Sequence, residues 1–185
     1  MIKELLQENQ EKMDKTIAVL KKDLASLRTG RATPALLDKI MVEYYGAMTP
    51  INQMANVSAP EPRLLVIQPW DKSVMSDIER AIMKSDLGLT PNNDGTVIRL
   101  GIPQLTQERR NELVKVAKKK GEESKVVIRN LRRDANEDLK AFEKDGDISE
   151  DDSRRGQDEI QKITDKYIKE IDNIITTKEA EIMEI

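Results

Sequence analysis

The apolar positions from Leu105 to Phe142 recur with the period of a helix, and the polar positions divide that helix into two faces. At about 100° per residue, Leu113, Val116, Ala117, Val127, Ile128, Leu131, Ala135, Leu139 and Phe142 fall within an arc of roughly 140°. Lys115, Lys118, Lys125, Arg129, Arg132 and Arg133 fall within an arc of roughly 100° on the opposite side. The spacing predicts one helix of about 40 residues and roughly 60 Å, with one face for packing on other helices and one for meeting negative charge. Thr106 is its expected cap, with Glu108 in the first turn, and Gly146 its expected end.

Two further stripes flank it. Met13, Ile17, Leu20, Leu24 and Leu27 repeat at spacings of 4, 3, 4 and 3, a coiled-coil-like seam. Gln10 takes the seam position before Met13, so weaker packing is expected near the N-terminus, and the helix is expected to end near Thr29-Gly30. Ser149, followed by Glu150, Asp151 and Asp152, opens a last helix with acid at its positive end. Its stripe is Ile160, Ile163, Tyr167, Ile171, Ile174, Ile175 and Ile182. Three helices with one stripe each call for a three-helix bundle, and the short connection Lys144 to Asp147 makes the last two antiparallel.

Between Arg31 and Gln104 the helical period disappears. KIMVEYYGAMTPI reads as two strands around Gly46, and Ala55–Ser58 and Leu64–Ile67 as two more, parted by a Pro60/Pro62 turn. Asp71 or Ser73 caps a short helix carrying Val74, Ile78, Ala81 and Ile82. Asn93-Asp94-Gly95 marks a hairpin, with Thr96 to Leu100 as the following strand. The expected fold is therefore α+β: a bundle of residues 1–30 and 105–185 with a small β/α/β domain, 31–104, inserted into it. Each crossing between them carries a Gly and a Pro, Gly30 with Pro34 and Gly101 with Pro103. Hinges are expected near 29–34 and 101–106.

Charge sharpens the view of the long helix. The net charge is −3, but residues 105–133 hold ten Lys/Arg against four Asp/Glu, and residues 134–185 hold eight against seventeen. An acidic whole with one basic stripe suits a single oriented contact with a polyanion. The stripe turns from Lys to Arg in its second half, and the Arg fork bonds phosphate oxygens two at a time. Arg28 and Arg31, at the end of the first helix, extend it.

Composition removes most alternatives. With no Cys and no His, disulfides, thiolate zinc sites, cysteine nucleophiles and histidine acid–base catalysis are excluded. Five aromatic residues, Tyr44, Tyr45, Trp70, Phe142 and Tyr167, do not make a base-stacking surface. Gly88 and Gly95 lack the setting of a phosphate loop, and no loop has the ligand spacing of a carboxylate metal site. The Asp151/Asp152 pair is explained by helix capping. No apolar run approaches the roughly 20 residues that span a bilayer, and the polar N-terminus reads as neither a signal nor a transit peptide. A binding protein, not an enzyme, is expected.

Four motifs in order, LRTGRATPALLDKI (27–40), VEYYG (42–46) with Pro50-Ile51, IQPWDKS (67–73) and IRNLRRDAN (128–136), closely resemble the bacterial ribosome recycling factor family. The resemblance runs the length of the chain. It implies a three-helix bundle and a β/α/β domain disposed in an L that approximates the outline of a transfer RNA. It implies a factor that binds the post-termination 70S ribosome across the A and P sites of its large subunit; from the sequence itself, which has no Cys and gives no reason to expect an oligomer, a cytoplasmic monomer is expected. With elongation factor G and that partner's GTP hydrolysis, such a factor separates the subunits and frees mRNA and deacylated tRNA, without cofactor or enzymatic activity of its own.

Carried over residue by residue, the family's contacts with large-subunit RNA fall on Arg28, Arg129 and Arg132, with Arg110 and Arg133 as neighbours. Gly30, Arg31 and Pro34 match its junction motif. The competing reading is a coiled-coil interaction protein or chaperone arm that turns its basic face to protein partners.

Overall fold

In the computed structural model, which describes residues 1–27 and 29–184, ten helices and strands follow one another along the chain. They are α1 (Ile2–Ala25), β1 (Met41–Tyr44), β2 (Ala47–Pro50), β3 (Ala55–Glu61), β4 (Leu64–Pro69), α2 (Met75–Lys84), β5 (Pro91–Asn93), β6 (Ile98–Gly101), α3 (Gln107–Lys144) and α4 (Glu150–Met183). By their contacts they form two compact units, one of Met1–Leu24 with Val114–Ala180 and one of Ala25–Leu113 with Glu181–Ile185.

The first unit is a three-helix bundle. Lys118 meets Glu179, Lys125 meets Asp172 and Arg132 meets Gln161, so each step forward along α3 is a step back along α4. Asp14 bonds Tyr167, and Ile2, Leu5 and Leu6 pack with Ile160, so α1 runs the same way as α4. The turn between α3 and α4 is made locally. Gly146 takes φ +77, Gly146 N donates to Glu143 O at 3.0 Å and Asp147 N to Phe142 O at 2.9 Å, the paired bonds of a Schellman cap. Asp152 N then donates to Ser149 Oγ at 3.1 Å, and at the other end of α3 Arg109 N donates to Thr106 Oγ1 at 3.1 Å.

The seams of the bundle are narrower than the stripes suggest. On α3 the buried stripe positions are Leu113, Ala117, Gly121, Ile128, Ala135 and Leu139, with Arg110 buried near its start. Val116 and Val127 are 40% and 44% exposed, because a three-helix seam admits a narrower strip than a 140° arc and both valines lie at its edge. Two glycines let the helices approach closely: Gly121 faces Ile175 and Gly156 faces Leu139. On α1 the polar seam residue is Asn9, 4% exposed, and not Gln10, which is exposed. Asn9 is the i−4 neighbour of Met13 and donates to its sulfur at 3.9 Å. The seam then continues through Leu6, Leu5 and Ile2, so the N-terminal turns are packed.

Helix α1 stops at Ala25, four residues short of Thr29-Gly30, and Leu27 lies beyond it, half-buried. The contacts of the chain pass to the second unit at Ala25.

The second unit holds two antiparallel sheets, β1-β2 and β3-β4-β6-β5. Tyr45 (φ 48) and Gly46 (φ 80) form the tight turn between β1 and β2, both in the left-handed region that such a hairpin requires. The turn after β3 falls at Pro62-Arg63, with Pro60 inside β3, which tolerates proline because it is an edge strand. Asp71, not Ser73, is the cap, but of a 3-10 turn, Lys72–Val74, that leads into α2, which itself starts without a side-chain cap: Asp71 Oδ1 accepts from Ser73 N at 2.9 Å and Ser73 Oγ at 2.7 Å. The last strand is Ile98–Gly101, shorter at its start than expected, because the carboxylate of Asp94 holds Thr96 and Val97 in the turn. Its partner β5, too short and polar to be seen as a strand, pairs Pro91 with Leu100 and Asn93 with Ile98. Leu65, Ile67, Ile78, Ile82, Ile98 and Leu100 form the fully buried centre of this unit. Among the described residues, no helix is long and apolar enough to cross a membrane.

Candidate nucleic-acid interface

The basic side of α3 sorts into two kinds of cation. Lys125 is the more enclosed, its side chain 15% exposed between the carboxylates of Glu122, at 3.3 Å, and Asp172. The hydrogen bond that Lys125 donates to Asp172 holds its ammonium above the usual lysine range. Lys118 lies 3.9 Å from Glu179. Both lysines are therefore ion-paired with α4, Lys125 closely and Lys118, 62% exposed, only at the limit of contact.

Lys115, Arg129 and Arg133 are exposed and carry no ion pair among the described residues. Arg132 is half-buried, and its Nη1 donates to a neutral acceptor, Gln161 Oε1, at 3.4 Å. Three arginines within one and a half turns thus keep their charge, and each presents a planar donor fork. A surface of this kind binds phosphate oxygens bidentately, with affinity that falls as salt rises.

The remaining candidates are placed differently. Arg28 lies outside the described residues. Arg110, expected beside the basic face, is 6% exposed: Nη1 donates to Glu184 O at 2.6 Å and Nε to Leu105 O at 3.4 Å. It closes the second unit from inside and does not stand on the α3 surface. Arg31 pairs with Glu184 Oε1 at 2.8 Å. Gly30 takes φ +79, a left-handed conformation that glycine adopts freely. Pro34 opens a 3-10 turn, Pro34–Leu37, that buries Leu36 and Leu37, and Gly101 is paired with Leu64 at the end of β6. Pro103 directly follows Ile102, whose N–H donates to Arg63 O at 2.8 Å.

The residues that decide which cations are free, Gln161, Asp172 and Glu179, belong to α4 and were invisible to a reading of α3 alone. A signal for them exists in the sequence. The short connection at 144–149 sets an antiparallel register, and counting outward from it on both helices brings 132 beside 161 and 125 to within about a turn of 172.

Comparison with known proteins bears on what this face meets. A family model described as ribosome recycling factor matches residues 20–183. The ribosome-recycling factor of Carboxydothermus hydrogenoformans is 64% identical over 185 residues, 100% of both chains. A solution structure of the ribosome recycling factor superposes with a TM-score of 0.78 at 43% identity, covering 100% of this chain and 98% of that one. A second structure, described as models for the T. thermophilus ribosome recycling factor and the E. coli elongation factor G bound to the E. coli post-termination complex, has a TM-score of 0.69 at 49% identity over 100% of both chains. With sequence, family model and fold agreeing along nearly the whole length, the chain belongs to the ribosome recycling factor family.

Proposed function

We propose that this chain recycles ribosomes after termination. It binds the post-termination 70S ribosome across the A and P sites of the large subunit. With elongation factor G, it promotes subunit separation and the release of mRNA and deacylated tRNA. The observation that carries this reading is the relative placed with elongation factor G on the post-termination complex, 49% identical over 100% of both chains. GTP hydrolysis belongs to the partner; this chain acts in the cytoplasm by binding, without catalytic residues or cofactor of its own.

Arg129, Arg132 and Arg133 supply the contact with large-subunit RNA, supported by the exposure of Arg129 and Arg133 and by the lack, among the described residues, of a carboxylate partner at all three. Arg28 is assigned to the same contact by family resemblance; Arg110 is left out because its guanidinium is enclosed. The segments near 29–34 and 101–106, which lie within the second unit towards its ends at Ala25 and Leu113, serve as hinges. Gly30 is the favoured point of bending, supported by its left-handed backbone, with Arg31, Pro34, Gly101 and Pro103 as the tethered neighbours.

The test is to assemble ribosomes at a stop codon, trigger peptide release, add the protein with elongation factor G and GTP, and follow subunit splitting by light scattering. Faster splitting than with the GTPase alone is expected. No stimulation would replace this reading with that of a coiled-coil arm that binds proteins.

A further inference from the structure

Arg132 differs from the lysines of its own face in the partner that α4 offers it. Lys118 and Lys125 meet carboxylates, Glu179 and Asp172, while Arg132 meets the amide of Gln161. That amide is itself held: Gln161 Nε2 donates to Asp165 Oδ1 at 2.8 Å, one turn further along α4. The order of donors and acceptors in this chain has only one solution. A guanidinium only donates and an ionised carboxylate only accepts, so the amide between them must turn its oxygen to Arg132 and its nitrogen to Asp165. Flipping it would set donor against donor and acceptor against acceptor.

We infer that Gln161, fixed by Asp165, is a positioning residue that aims Arg132 at a phosphate of the bound RNA without neutralising it; this rests on the proposed RNA contact. Arg has five N–H donors, and the bond to Gln161 uses one on Nη1. The rest of the fork stays open, its rotamer already restrained, so less freedom is lost when phosphate binds. Asp165 acts at one remove, far enough to orient the amide without cancelling the guanidinium charge. A glutamate at 161 would do the opposite. Repelled by Asp165 at i+4, it would turn to Arg132 and close an ion pair like that of Lys125 with Asp172.

Binding to purified large ribosomal subunits, measured by co-sedimentation from low to moderate salt, tests this with Arg132→Ala, Gln161→Glu, Gln161→Ala and the doubles with Ala at 132. Arg132→Ala is expected to weaken binding about tenfold. Gln161→Glu is expected to weaken it about threefold or more and to lower the salt slope by about one, with a smaller loss for Gln161→Ala. Neither change should matter once residue 132 is alanine. All sites lie on exposed or half-exposed helix surface, and thermal melts check that folding is retained. If Arg132→Ala leaves affinity unchanged, the RNA contact at Arg132 is itself wrong. If Arg132→Ala weakens binding but both Gln161 variants bind as wild type, or lose as much without Arg132 as with it, the positioning role is overturned.

Discussion

Gly121 on α3 lies directly against Ile175 on α4: a Cβ at residue 121 would stand 2.6 Å from Ile175 Cγ1. At Gly156 the corresponding neighbours are the two methyl carbons of Leu139, at 2.9 and 3.0 Å. The two glycines therefore respond differently to the same substitution. Alanine gains about 1 kcal/mol of helix propensity at either site. At 121 that gain is outweighed by overpacking against a β-branched side chain with a stiff χ1, a loss of about 1–3 kcal/mol. At 156 the leucine methyls can rotate away. Gly121→Ala is expected to lower the urea midpoint and Gly156→Ala to leave it nearly unchanged. The reverse order would contradict this packing.

Breaking the Lys125–Asp172 pair separates stability from binding. Asp172 is 55% exposed, so the pair contributes no more than about 0.5–1 kcal/mol. Lys125→Ala is expected to lower the melting temperature slightly and to leave ribosome affinity and its salt slope unchanged. Arg129→Ala is expected to do the opposite, weakening binding with no measurable loss of stability. Measuring both variants by thermal melting and salt-dependent binding checks the division of the face into paired and free cations.

Arg110 should behave as a structural residue. Its guanidinium serves the carbonyls of Leu105 and Glu184 and is buried. Arg110→Ala leaves those acceptors short of a donor and is expected to cost about 1–3 kcal/mol in equilibrium unfolding. Its binding to large subunits, measured where the variant is fully folded, should keep the wild-type salt slope.

Acid should loosen the β5–β6 turn. Asp94 accepts bonds from the backbone N–H groups of Val97 and Thr96 and from Arg99, which hold its carboxyl at about 2, against a usual 3.8. Because the folded pKa is depressed, this contribution is complete above pH 4 and is lost as pH falls from about 4 to about 2. Asp94→Ala is therefore expected to melt below wild type at neutral pH, with the gap closing across that window. A constant gap from pH 7 to pH 2 would show that the carboxylate charge is not what holds the turn.

Much of this fold was legible because its signals are local. Thr106, Gly146 and Ser149 sit at the helix ends they mark, since a cap is a bond within one turn of chain. Tyr45-Gly46 turns where the hairpin pattern places it. Legibility ended where a position depends on what lies across from it. Asn9 and Gln10 are both compatible with a seam at spacing 3 or 4, and only the neighbouring helices select Asn9. Strand β5 has no apolar run and exists because β6 supplies a partner. Arg110 looks like one more cation until the end of α4 covers it.

By itself the sequence determined the three stripes, the inserted β/α/β segment, the separation of basic from acidic charge, and the four motifs that lead to the family. All are set by residues within a few turns of one another, where helical period, caps and turn geometry leave few alternatives. The tertiary structure decided which of the basic residues remain available. Lys118, Lys125 and Arg132 all carry a positive charge on the same side of α3, but the antiparallel register of α4 brings Glu179 and Asp172 to the first two and Gln161 to the third. Whether a cation is free depends on which residue of α4, some 30 to 60 positions away in the chain, lies across from it, and only the packing of the helices places a carboxylate there or leaves it out.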